Sequence, residues 1–369
     1  MILHICCNLA GSSVFPKLFE AMRDSGVSQR VFVPEKYASN LGKNHPAGVE
    51  TLQRLTVKRS DALLFFRKAQ RSVPVIRQEI PLAECGLIHA HTLFTDGSIA
   101  MALSNETGIP YGVTLRYSDT EVLWRLPWLH PLARRILEGA SFVVFLGDAV
   151  RSRVIGTWIA GKARDALQKK STVIPNGIQP EWLDGSPRVA CGNPVRVGFA
   201  GRLNDRKQPL QALEAVHLAN RLSDRRFVWT ACGDGPLRKQ VADTRRQDDR
   251  LLGPITGTPA MKAFYDSIDV LLVPSRAETF GMVYLEAMSR GVPVLYTRGQ
   301  GFDGLFPEGT VGYSVACGNT HEMAEKLCLV ASENYAGLSR RCVSAAAQCA
   351  LPLIAERWKR LYESVKQIC

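Results

Sequence analysis

Several things are missing from this 369-residue chain, and each absence closes a class of function. No apolar run reaches the roughly 20 residues that a bilayer-crossing helix needs, so no membrane-spanning segment is predicted. The ten cysteines form no Cys-x-x-Cys pair, and Cys6 and Cys7 are adjacent in one apolar stretch. That pattern fits reduced thiols; it supports neither a disulfide framework nor a metal ligand cluster. The opening residues, MILHICCNLAGSS, carry no basic stretch ahead of their apolar ones and read as a first strand, not a signal peptide. No nucleic-acid recognition module, internal repeat or low-complexity segment is visible, so no nucleic-acid partner is expected. Acidic residues are in deficit: 34 Asp and Glu against 46 Lys and Arg leave a formal charge of +12.

What is present reads as a soluble enzyme of two domains. At 46% hydrophobic and 22% charged, a chain of this length buries two sizeable cores. Strand-like runs at 2–8, 30–34, 87–91, 111–115 and 142–146 alternate with helical stretches such as 15–25 and 97–107. Later, runs at 196–200, 227–232, 270–274 and 292–296 alternate with helices at 209–221, 237–244 and 260–267. Such alternation predicts an α/β protein with parallel sheets made of βαβ units. Glycines and prolines without periodicity at 180–194 mark a boundary, giving domains at 1–182 and 183–350. A last helix, AERWKRLYESV, falls within 351–369.

The chemistry concentrates in residues 274–293, PSRAETFGMVYLEAMSRGVP. Residues 270–274 form a buried strand, and 275–280 the loop at its carboxyl end, where open α/β sheets bind ligands. Gly281 opens a helix, so the free N–H groups of Phe280, Gly281, Met282 and Val283 point at the loop and attract a diphosphate. Glu278 sits beside that anion site and Glu286 about two turns further in. One acid reaches a sugar hydroxyl, the other a ribose diol; an ordinary amphipathic helix with solvated glutamates would show the same spacing. After the strand at 196–200 come Gly201, Arg202 and Lys207, a guanidinium and an ammonium suited to a departing diphosphate. Two surface cations at a strand end would look alike. GDG at 233–235 lacks the third glycine of a dinucleotide fingerprint and is weak evidence for a nicotinamide cofactor.

Four motifs in order carry a resemblance: VIPNGI at 173–178, VGFAGRLNDRK at 197–207, CGDGP at 232–236 and the stretch 274–293. Together they resemble glycosyltransferase family 4, retaining enzymes of GT-B fold with a Glu-x7-Glu motif, strongly over 172–293 and loosely over the amino-terminal half. The resemblance implies two Rossmann-like domains with parallel sheets facing a central cleft. The first would bind the acceptor and the second the nucleotide sugar, and the final helix would cross back to the first. It implies a hexosyl transfer with retention, in which the departing phosphate helps take the acceptor's proton. The nucleotide sugar is then a co-substrate, and no metal or other cofactor is called for. Arg202 and Lys207 would stabilise the leaving group, Glu278 orient the donor sugar and Glu286 the ribose. The backbone at Pro254 and Ile255 would hold the base, while Gly11 and Ser12 would cover the phosphates, Ser12 standing where a second glycine is common. Two departures stand out. Arg116, in TLRYSD at 114–119, replaces the histidine of a T-x-H-G pattern; it cannot act as a base but could bind a hydroxyl, a uronic carboxylate or a phosphate of the acceptor. QGFDG at 300–304 replaces GG-x-x-E and leaves the donor open. His91 is a second candidate for acceptor contact, whereas Trp124, Arg125, Trp128 and His130 line an acceptor channel or pack in the core.

The charge is uneven. Between Lys17 and Glu79 there are 12 Lys and Arg against 6 Asp and Glu, a local +6 that is half the total. Lys58, Arg59, Arg67, Lys68 and Arg71 surround the apolar residues 63–66, a pattern suited to an anionic lipid surface or to a helix with solvated cations. The expected setting is cytoplasmic, peripheral at the inner face of a membrane, with a lipid-linked glycan acceptor of a surface polysaccharide such as lipopolysaccharide. Rival readings are a nucleotide-sugar epimerase of the same fold and a non-catalytic donor-binding subunit.

Overall fold

Runs of Val, Ile, Leu and Phe buried on both faces require a parallel sheet covered by helices on each side. In the computed structural model of the chain they form two such sheets, every pairing parallel. The structure describes all residues except 62–63, 159–160, 333 and 367–369, and for 117–118, 123–124, 158, 162 and 366 the backbone alone. The chain divides into two compact units, one of Met1–Gly177 with Leu351–Cys369, the other Ile178–Ala350.

The strands of the first unit are β1 (Ile2–Ile5), β2 (Gln29–Glu35), β3 (Glu50–Leu55), β4 (Leu87–Ala90), β5 (Tyr111–Leu115), β6 (Phe142–Phe145) and β7 (Ser171–Val173), in the order β3-β2-β1-β4-β5-β6-β7. The order reverses between β1 and β4, so the crevice beyond their carboxyl ends is where the fold offers a ligand site. One face packs Leu3, Ile5 and Ile88 against Val73, Ile76, Leu103 and Ile136. The other packs Ile2, Leu87 and Val144 against Phe19 and Met22 of the helix Val14–Asp24 and against Ile354, Trp358 and Tyr362 of the final helix Leu351–Lys366. β1 stops at Ile5, short of the expected 2–8, because the Cys7 amide turns to donate to the Asp96 carboxylate at 3.0 Å.

The second unit contains β8 (Val195–Ala200), β9 (Phe227–Cys232), β10 (Arg250–Gly253), β11 (Val270–Val273), β12 (Val294–Thr297) and β13 (Gly312–Val315), ordered β10-β9-β8-β11-β12-β13. Its switch point lies between β8 and β11. The loops that follow those two strands carry Arg202, Lys207 and Glu278.

Candidate active site

Lys207 and Glu278 meet at the switch point of the second unit. The loop after β8 is pinned by the buried Leu203, whose amide donates to Asp234 O at 2.9 Å, and by Asn204, whose side chain accepts from Lys207 N at 3.0 Å. Gln208 follows in the left-handed region (φ 54°), an unusual conformation for a residue with a side chain. Its carboxamide, oriented by its hydrogen-bonding network, donates to Pro274 O at 2.9 Å and accepts from Arg276 Nη2 at 3.3 Å, which ties the β8 loop to the β11 loop. Arg206 adds a bond from Nε to Ala277 O at 2.8 Å. Lys207 Nζ is thereby held on Glu278 Oε2 in a hydrogen-bonded ion pair, and Ser275 Oγ donates to the same oxygen at 3.2 Å. The Glu278 amide is fixed by Gln300 Oε1 at 2.9 Å. Arg202 stands exposed on the same loop.

The helix expected at Gly281 is Met282–Ser289, with Gly281 as N-cap at φ 84°. A Cβ there would lie 2.4 Å from the Tyr284 ring, so position 281 needs glycine for both conformation and space. Met282 and Val283 open the helix with amides that have no intrahelical partner, beside Glu278. Phe280 turns inward against Phe302. Glu286 accepts from Tyr265 OH at 2.8 Å; burial raises the Glu286 carboxyl above its usual range, and burial together with that glutamate raises the Tyr265 phenol. Pro254 and Ile255 follow β10, which is drawn toward β9 by Gly233 N donating to Gly253 O at 2.7 Å. A Cβ on Gly233 would meet Gly201 O at 1.9 Å, so the three strand ends close on one another only because glycine is there.

Tyr265, Gln208, Ser275, Arg206 and Gln300 escape a reading by motif, since each is tied to the site by tertiary contact. The same holds in the first unit for Asn44 (φ 55°), whose Nδ2 donates to Ala10 O at 2.8 Å and Ser12 O at 3.4 Å and so braces the loop carrying Gly11 and Ser12.

Arg116 follows β5 as the N-cap of the helix Tyr117–Arg125 and is 8% exposed. Its Nε donates to His91 O at 3.1 Å, its guanidinium lies 4.3 Å from the Phe15 ring centre, and its own amide donates to Asp119 Oδ2 at 2.9 Å. Burial raises Asp119 to about 6 and the nearby Asp96 to about 7. His91 corrects an expectation. Its imidazole is fully buried with Nε2 3.0 Å from His4 Nδ1, so what it offers at the strand end is its carbonyl. The reason is period two: His91, just past β4, keeps the strand's alternation and falls on the same face as His89, and His4 stands opposite His89 on β1, beneath the final helix.

The same geometry gathers three imidazoles that the sequence did not show together. His4, His89 and His91 bring one nitrogen each within 4.8 Å of one another. The set is a poor cation site: His89 already bonds Tyr362 OH and Thr114 Oγ1, each at 2.8 Å, and no carboxylate belongs to the group among the described residues. Burial, reinforced in His89 and His91 by the neighbouring imidazoles, lowers all three, His4 to about 3.

Of the cations expected on a lipid surface, Lys58, Arg59 and Arg67 are exposed. Lys68 is buried, its Nζ 3.2 Å from Thr95 Oγ1, because it falls one turn from Phe65 on the apolar stripe of the helix Phe65–Glu79. Arg71 pairs with the buried Asp61. Leu63 lies outside the described residues, as does the Trp124 side chain; Trp128 is 64% exposed and is no core residue.

The two sheets and their order define the GT-B class. Over 98% of this chain and 99% of the other, the structure resembles Anabaena HepE in complex with UDP and glucose, with a TM-score of 0.69 at 19% identity. Over 100% and 99% it resembles sucrose-phosphate synthase of Thermosynechococcus elongatus, at 0.74 and 18%. Residues 194–333 match the family Glycosyl transferases group 1, and residues 11–177 the Glycosyl transferase 4-like domain. The chain belongs to the group 1 glycosyltransferases. An uncharacterized glycosyltransferase of Methanocaldococcus jannaschii is 25% identical over 245 residues, 65% of this chain and 64% of that one. The D-inositol 3-phosphate glycosyltransferase of Pseudarthrobacter chlorophenolicus is 24% identical over 327 residues, 81% and 76% of the two chains. The chain thus spans just under two thirds of the length of the first of these relatives.

Proposed function

We propose that this chain transfers a hexosyl group, with retention and without a metal, from a nucleotide sugar to a lipid-linked glycan acceptor in surface polysaccharide synthesis. The observation that carries the reading is the Lys207–Glu278 pair at the β8/β11 switch point, beside the opening amides of the helix Met282–Ser289. An incoming diphosphate supplies Lys207 with a stronger anion than one carboxylate, and Arg202 joins it. Glu278, released from the ammonium, then accepts hydrogen bonds from the donor sugar. The negative charge that develops as the diphosphate leaves falls on oxygens already held by two cations and the helix amides. Those cations stand where a metal would otherwise be needed. Glu286 takes the ribose, the backbone at Pro254 and Ile255 the base, Gly11 and Ser12 cover the phosphates, and Arg116 holds the acceptor. Lys58, Arg59 and Arg67 rest on an anionic membrane surface at its cytoplasmic face. HepE, solved with UDP and with UDP-glucose, makes uridine diphosphate sugars the first donors to try.

The test is a panel of nucleotide sugars scored by thermal shift, since a ligand of the folded state raises its melting temperature, followed by product analysis with and without a lipid-extract acceptor. Stabilisation by one donor and diphosphate release that depends on acceptor support the reading. Donor conversion without acceptor would make the chain an epimerase, and stabilisation by none would remove the donor site.

A further inference from the structure

A groove of about 660 Å³ lies in the first unit between the helices Phe65–Glu79, Thr95–Thr107 and His130–Gly139. It falls within the size range of small-molecule pockets, roughly 300–1,000 Å³. Its walls are Phe66, Val73, Met101, Ala102, Leu129 and Leu132, and its charged lining is limited to Glu106, already paired with Arg77, and Arg135. Gln70, Ser98 and Asn105 are its uncharged polar lining, so apolar side chains predominate. Phe66 at the wall is 56% exposed, and Trp128, one residue before Leu129, is 64% exposed. Two large aromatics left open beside an apolar trough mark a surface made to be covered.

The surroundings are basic. On the helix Phe65–Glu79, Arg67 is exposed and lies over the Phe66 ring, 5.9 Å from its centre, while Arg71 and Arg77 are paired with Asp61 and Glu106 and Lys68 is buried. Lys58 and Arg59 stand exposed just before the helix. We propose that the groove takes the hydrocarbon chain of the lipid-linked acceptor, with its anionic head group among the exposed cations. This rests on the lipid-linked reading above and adds the place where the lipid is held. It also separates two jobs: Lys58, Arg59 and Arg67 draw the protein to the anionic surface, while the groove selects one molecule by its tail.

The probe is a series of alkyl phosphates, ethyl, hexyl and decyl, titrated below their aggregation threshold by calorimetry into the full chain. Affinity rises about fourfold per methylene, the equivalent of ~0.8 kcal/mol, once the chain enters the groove. Ethyl phosphate and inorganic phosphate bind too weakly to measure. Ala102→Trp fills the groove and lowers decyl phosphate affinity at least tenfold with UDP affinity unchanged. Should Ala102→Trp fail to fold, Phe66→Ser opens the wall and weakens decyl phosphate severalfold. Changing Lys58, Arg59 and Arg67 to Ser reduces sedimentation with anionic vesicles but preserves the chain-length series. Binding independent of chain length, or a groove-filled variant that binds decyl phosphate like wild type, overturns the proposal. Equal binding of decyl maltoside overturns the anionic head. Wild type that binds decyl phosphate but no nucleoside diphosphate would sink the transferase reading and leave the groove standing.

Discussion

Lys207 and Glu278, 71 residues apart, form an ion pair at the one place in the second sheet where strand order reverses. Each is mostly buried, with side chains 18% and 8% exposed, so neither charge is well solvated and each depends on the other. A ligand that offers Lys207 a diphosphate changes its partner without leaving it bare. In the proposed reaction the pair is a resting state, which makes the roles of the two residues separable.

Glu278→Gln removes the competitor for Lys207 while keeping the volume of the side chain. UDP affinity should stay constant or rise, whereas kcat falls roughly 10–100-fold, the scale for losing a hydrogen bond to a charged group. Calorimetry alongside steady-state rates checks it. A parallel loss of UDP binding would mean that Glu278 serves the phosphates.

Arg202 is exposed, so its removal should not unsettle the fold. Arg202→Ala is expected to leave the melting temperature unchanged and to lower kcat by roughly 10²–10³, as for one preorganised charge-stabilising group. The rate of wild type should survive EDTA. Loss of activity on chelation and its return with magnesium would disprove the metal-free mechanism.

Tyr265 donates to Glu286 at 2.8 Å and so fixes the carboxylate proposed to read the ribose. Tyr265→Phe should weaken UDP about 3–10-fold, the net worth of one hydrogen bond, and narrow the preference for UDP over its 2′-deoxy form. An unchanged preference in both Tyr265→Phe and Glu286→Ala would show that the ribose is bound elsewhere.

Asp96 is fully buried, accepts from Cys7 N through Oδ1 and leaves Oδ2 without a partner. Burial lifts it from 3.8 to about 7, so the folded chain keeps a proton that the unfolded chain releases. Its contribution to stability is complete below pH 4 and is lost as pH rises toward 7, by up to ~1.4 kcal/mol per pH unit. Asp96→Asn removes that dependence while keeping the acceptor for Cys7. Urea unfolding should find the two proteins alike near pH 4 and the variant increasingly the more stable by pH 7.5; parallel profiles would show that Asp96 titrates normally.

The strands and the helix at Gly281 were legible because local rules decide them: apolar runs of strand length, and a glycine where the chain turns left-handed into a helix. Short polar strands were not. β3, ETLQRL, and β10, RLLG, have no apolar run of their own and pair because β2 and β9 offer them an edge. The four motifs carried the family, and with it the roles proposed for Arg202, Lys207, Glu278 and Glu286. Spacing along the chain could not show that His4 meets His89 and His91 across β1 and β4, which turned His91 from a candidate for acceptor contact into a core residue. Nor could it show that Lys68 lies under its own helix while Arg67 lies outside. Sequence determined which chemical groups are available and the period with which they repeat. Tertiary structure decided which of them meet, because burial and ion pairing depend on strand register and sheet order, which bring together residues far apart in the chain.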